Sequence, residues 1–204
     1  MMQQKILALR ELNKTQFDLA KEILLADKGN FYSVDFLTLA AINRSISNSE
    51  AFISLIEAEN YLAAIPFIRM QLDSVLRLFA LKLVDKPQEF AQKILDGHEV
   101  RKLKCRNGNK MFDSYLCDQL SKYDPWVKNV YESCSGFVHL SNKHMFTIFG
   151  DRQPDDTFEI RLGAKHSHVT EKLKVEALDA YSHCLKLLID MCKDWLDKKK
   201  IGGD

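Results

Sequence analysis

The chain has 204 residues, of which 46% are hydrophobic and 28% charged, a balance that fits one folded domain and excludes disorder. Lys plus Arg number 29 and Asp plus Glu 28, so a net charge of +1 excludes a surface built throughout for nucleic acid or anionic lipid and leaves only a local patch. Cysteines at 105, 117, 134, 184 and 192 show no CxxC spacing; they read as small core residues in a reducing compartment, and a cytoplasmic location is expected.

The opening MMQQKILALRELNK has no long apolar run, so no secretory leader is expected. Ile6, Leu9, Phe17, Ala20 and Leu24 place a helix over 3–27, ended near Gly29. Ser33 is the expected cap of a second helix, 34–58, where Leu39, Ile42, Ile46, Ile53 and Ile56 recur at helical spacing. Its middle, NRSISNSE, is polar and poor in helix formers, the place to look for a kink or break. A third helix, about 61–84, is apolar nearly all round, the mark of a central rod, with Pro66 in its early part. Arg69, Asp73, Arg77 and Lys82 interrupt that tract, so it is not a membrane span.

Lys86-Pro87 starts a short helix to about 96, closed by Gly97, and EVRKLKCRNGNK follows as a basic, turn-rich surface connection. Another short helix covers 111–122. Asp124-Pro125 begins one that runs to about 141, through most of YESCSGFVHLSNKH. MFTIF and TFEIRL, separated by GDRQPDD, carry the residue types and alternation of a β-hairpin over about 145–162. Such a hairpin must pack on the helices or on a partner chain. Leu173, Ala177, Tyr181, Cys184, Leu188, Met191 and Trp195 form the seam of a last helix. The fold class is therefore all-α: an up-and-down helical bundle with short extra helices and one hairpin before the C-terminal helix. Residues 1–198 make the helical domain, and 199–204 are expected to fray.

Arg69, Asp73 and Arg77 stand at steps of four and form a row on the apolar third helix. Either Glu57, Glu59 or Glu132 completes an internal salt-bridge row, or the spare positive charge receives an anion such as phosphate. Tyr131, Ser135 and His139 also step by fours. The two readings of His139 are a packed, hydrogen-bonded imidazole and a general acid/base, its ordinary pKa being about 6.5. His166 with His168 reads as a solvated junction, and Asp179 with His183 as an exposed ion pair; neither makes a strong metal site. Arg101, Lys102, Lys104 and Arg106 are candidates for phosphate-backbone contact. The chain has no P-loop, GxGxxG, GxSxG or HExxH, so no cofactor or metal is expected.

The segment AIPFIRMQLDSVLRLFAL, followed much later by YESCSGFVHLS, resembles a group of bacterial helical proteins similar to the HEPN superfamily, which includes abortive-infection and toxin proteins. The resemblance covers roughly 60–145 and the final helix. It implies a metal-independent RNA cut, with a histidine as acid/base, an arginine on the phosphate and a dimer joining two copies. Carried onto this chain, the catalytic candidates are His139, Arg77 and Arg69. Asp73, Tyr131, Ser135, Arg101 and Lys104 are the ligand-binding candidates. Active members hold the arginine close to the histidine in sequence; here no arginine lies within seven residues of His139, so it must come from another helix. The alternative is a non-catalytic homodimeric interaction module whose polar cluster only fixes helix packing.

Overall fold

The structure, a computed structural model, describes residues 1–139, 141–152 and 157–202. Its elements are α1 (Met2–Leu25), α2 (Ser33–Glu57), α3 (Tyr61–Phe79), α4 (Pro87–Leu95), α5 (Asp113–Leu120), α6 (Trp126–Val138), α7 (Asn142–Ile148), β1 (Phe149–Arg152), β2 (Phe158–Ile160) and α8 (Glu171–Lys200). This is the expected all-α helical bundle. Among the described residues no helix is long and apolar enough to cross a membrane.

Side-chain pairs give the helix directions. Arg10 reaches Glu57 and Asn13 reaches Glu50, so α2 runs against α1. Gln71 donates to Ser45 at 2.7 Å and Arg44 to Asp73 at 3.1 Å, so α3 runs against α2. Lys174 pairs with Glu59 before α3 begins, and Lys82 with Asp194 after it ends, so α8 runs along α3. Lys5 pairs with Asp179 and Lys199 donates to the Ile23 carbonyl, so α8 also runs along α1. The segment from 80 to 170 thus carries the chain back to its starting end. In doing so it lays α4 on α2, and α5 and α6 on α3.

Periodicity becomes core in α3 and most of α8, but the expected seams are not kept throughout: Phe17 and Leu24 of α1 and Leu173 of α8 are exposed, and Leu19 and Ile23 take the inner face of α1 instead. Ile68, Leu72, Val75, Leu76 and Phe79 of α3 are buried against Ala177, Leu178, Tyr181, Leu185 and Leu188 of α8 and the inner faces of α1 and α2. Each such side chain contributes about 1.5–3 kcal/mol when taken from water. Phe52 of α2 and Tyr181 of α8 stack with centroids 4.3 Å apart. All five cysteines are free and buried, as small core residues should be.

Four further expectations change. NRSISNSE does not break α2: Ser45, Asn48 and Ser49 are buried, with Ser45 accepting from Gln71, while Asn43, Arg44, Ser47 and Glu50 stay exposed on the outer side. Ser33 does not cap that helix. The Asp35 carboxylate accepts the Tyr32 N–H at 2.8 Å, and Ser33 donates to Gln92 instead. MFTIF is mostly helical, in α7. The opposing strand is only three residues, so antiparallel pairing spans just Phe149↔Ile160 to Arg152↔Phe158, and the residues before it close helical bonds. Residues 153–156 of the expected loop, and Leu140, lie outside the described residues. Finally, α8 continues through Lys200 and buries Lys199, so fraying does not begin at 199.

Candidate functional site

The charged row on α3 faces α5 and α6 rather than the bundle axis, and two other helices complete it. Arg44 of α2 bonds Asp73 Oδ2 at 3.1 Å, and Asp73 Oδ1 takes Arg77 at 2.8 Å. Arg77 also bonds Asp113 Oδ1 at 2.6 Å, while Asp113 Oδ2 takes Arg69 at 3.3 Å. Charges therefore alternate along a ladder of Arg44, Asp73, Arg77, Asp113 and Arg69. Asp113 sits in the first turn of α5, where a carboxylate is favoured by the helix dipole. The acids expected to complete the row are used elsewhere: Glu57 pairs with Arg10, Glu59 with Lys174, and Glu132 is exposed on α6.

Three guanidiniums face two carboxylates here, and the donors outrun the acceptors. Arg77 Nη1 is covered from solvent and has no acceptor among the described residues. A buried donor without a partner costs about 1–3 kcal/mol, so an entering oxyanion that tilts this guanidinium or displaces Asp113 has something to gain.

The ladder opens onto a cleft of about 530 Å³ lined by Arg44, Arg69, Met70, Asp73, Asp113, Tyr131, Ser135, Val138 and His139. The Arg69 guanidinium lies over the Tyr131 ring, 4.2 Å from its centroid, a cation–π contact that orients it. The Ser135 hydroxyl donates back to the Tyr131 carbonyl within α6. That helix stops at Val138, earlier than 141, and His139 follows in extended backbone (φ −114, ψ 148) with its side chain exposed. His139 is thus not a packed core histidine. Arg69, Asp73, Tyr131, Ser135 and His139 line one cleft, although spacing alone had gathered them only as two separate rows.

Arg77 does not join that lining. It lines an adjoining cleft of about 570 Å³ with Glu99, Val100, Arg101, Phe112 and Asp113. Asp113 is the wall common to both. No family model, no curated protein and no solved structure matches this chain.

The basic connection splits by role. Arg106 donates to the carbonyls of Lys82 at 2.9 Å and Val84 at 3.0 Å, which ties the turn to the end of the α3 segment. Arg101 and Lys102 both pair with Glu99. Lys104 bridges to Lys110 through the backbone. With Lys86, Lys93, Lys102 and Arg106, Lys104 lines a third cleft, of about 540 Å³, where the facing acids are Asp85 and Glu89.

The weaker metal candidates are placed differently from the expectation. His166 is buried and its backbone N–H bonds the Glu59 carbonyl, so it is not a solvated junction. Asp179 pairs with Lys5, and His183 Nε2 lies 2.6 Å from Asp124 Oδ2. The two are therefore not one ion pair. Among the described residues no group of three His, Cys, Asp or Glu is placed to hold a metal ion.

Sequence reasoning missed Arg44, Asp113 and Phe112. Arg44 stood in a segment read only for helix propensity, and Asp113 and Phe112 in a short helix with no motif. A local signal existed only for Asp113, an acid at a helix start.

Proposed function

We propose that this bundle binds RNA in the Arg69–His139 cleft and cuts it without a metal. The observation that carries the reading is that Arg69 and His139, from different helical segments, line one open cleft beside a ladder with more guanidinium than carboxylate. This meets the requirement that the missing neighbouring arginine come from another helix, and it accords with the HEPN-like resemblance of the same segments. In this mechanism Arg69, aimed by Tyr131, holds the phosphate. His139 takes the proton of the 2′-hydroxyl, whose oxygen attacks phosphorus. The bond to the 5′ oxygen breaks, leaving a 2′,3′-cyclic phosphate, and that oxygen takes a proton from water. Arg77, between two carboxylates, supports the ladder and does not hold the scissile phosphate.

The test is cleavage of a single-stranded RNA by the purified protein in excess chelator. His139→Ala is expected to reduce the rate by about 100-fold or more, the usual worth of a general acid/base. Arg69→Ala is expected to weaken binding and cleavage together. Binding should fall steeply with salt, because phosphate contacts release counterions. If wild type neither binds nor cuts RNA, the proposal is lost.

A second reading has its own support: each ladder guanidinium already has a carboxylate partner. In that reading the ladder only fixes α2, α3 and α5, and the protein is a homodimeric interaction module. It predicts a dimer by sedimentation, with no RNA affinity and no effect of His139→Ala.

A further inference from the structure

The cleft beyond Asp113 holds a feature that the chemistry at His139 leaves unused. Phe112, just before α5, is 48% exposed and lines the same depression as Arg77 and Arg101. The other aromatic side chains lining the three clefts are engaged: Tyr131 lies under Arg69, and Phe90 is buried. An exposed phenyl ring suits a flat partner ring, while the flanking guanidiniums are already held by carboxylates, Arg77 by Asp73 and Asp113 and Arg101 by Glu99. Stacking is satisfied by any nucleobase, and its phosphates must find cations further along the surface.

The three clefts also adjoin. The first two share Asp113, and the second and third are lined by consecutive stretches of one turn, 99–101 and 102–106. In the third, Lys86, Lys93, Lys102, Lys104 and Arg106 outnumber Asp85 and Glu89, although the whole chain is almost neutral. In the first two clefts cations and acids balance, and Lys86, Lys102 and Arg106 of the third pair with Glu89, Glu99 and Asp85, so the positive charge left over comes from Lys93 and Lys104, which have no acid partner among the described residues.

The geometry points to a path for single-stranded RNA that leaves the Arg69–His139 cleft, crosses Phe112 with a base stacked on its ring, and lays its phosphates among Lys93, Lys102 and Lys104. This rests on the RNA reading above and names its substrate class. A duplex is excluded, because a paired base has no free face for Phe112. Sequence preference should be slight, because every base has a face to stack.

The experiment is fluorescence anisotropy with labelled oligouridylate and oligoadenylate of increasing length, and with a duplex of equal length. Wild type is expected to bind both single strands, more tightly with length, and the duplex far more weakly. Phe112→Ala should weaken single-strand binding roughly 5- to 100-fold at unchanged salt slope, and Phe112→Trp should restore it. Lys93→Ala/Lys104→Ala should instead flatten the salt slope by about 0.7 for each phosphate that is no longer neutralised. Phe112 is surface-exposed, and unchanged circular dichroism verifies that the variants fold.

Two results overturn the path while leaving the RNA reading intact: Phe112→Ala binding like wild type while Arg69→Ala does not, or a duplex binding as well as the single strand. Wild type with no RNA affinity at all removes both.

Discussion

Asp35 and Lys199 have no exposed side-chain surface, yet both are ionisable. The carboxylate accepts from Tyr32 N–H, Trp195 Nε1 and Lys199 Nζ, each at 2.8 Å, and the ammonium also donates to the Ile23 carbonyl at 2.7 Å. That pairing makes burial tolerable and pins the end of α8 to the ends of α1 and α2. Lys199→Met leaves a buried carboxylate uncompensated, so urea titration should show a loss of about 3–5 kcal/mol. The cysteines differ from one another for equally local reasons. Burial works against ionisation of Cys105, but hydrogen bonds from the Tyr115 hydroxyl and the amides of Asn107 and Asn109 outweigh it and hold its pKa below the ordinary thiol value. Burial pushes Cys117 and Cys184 up, and Cys192 up to about 12. Only a thiolate alkylates readily. Iodoacetamide on the native protein should therefore label Cys105 ahead of Cys117, Cys184 and Cys192, as read by peptide mass, and equal labelling of Cys184 would contradict this.

α2 shows how an element can ignore its own propensity. Ser45, Asn48 and Ser49 are weak helix formers, but the helix runs unbroken with their side chains in the bundle interior, where Ser45 meets a polar partner from α3 and Asn48 Nδ2 and Ser49 Oγ have none among the described residues. Ser45 is the acceptor that satisfies Gln71 in a buried position. Ser45→Ala strands that amide and should lower stability by about 1–3 kcal/mol, measurable as a drop in Tm. Ser54, further along the same helix and bonded to its own backbone, is the control: Ser54→Ala should change little. The candidate site has the same split between local and distant. Tyr131 and Ser135 were readable because helical spacing gathers them on α6, and so were Arg69, Asp73 and Arg77 on α3, whereas His139 lies past the helix end in extended backbone and was not placed by helical spacing. Arg44 and Asp113, which decide how that row is neutralised, come from helices 25 and 44 positions from Arg69 in the chain. No periodicity spans such distances.

The whole bundle should be sensitive to alkali. Burial, with smaller contributions from Cys134 and Glu176, pushes the Tyr61 phenol up to about 12, and burial pushes Tyr181 up further. A tyrosine is neutral when protonated, and the unfolded chain releases that proton near pH 10. The folded state holds it more tightly, so the stabilisation is complete below about pH 10 and is lost as pH rises through about 12. Urea midpoints should fall across that window, and Tyr61→Phe should make the fall shallower; a flat profile would count against the burial of these rings. At this scale the two kinds of information separate cleanly. The order and approximate extent of the long helices, the apolar character of α3 and the charged row upon it were determined by sequence alone, because 3.6-residue periodicity is a property of neighbours along the chain. The parallel course of α8, the burial of Lys199, the completion of the ladder by Arg44 and Asp113, and the opening of His139 into a cleft were decided only by tertiary structure. Each depends on which distant groups meet once the connecting segment has folded back, and contacts of that range leave no local pattern to read.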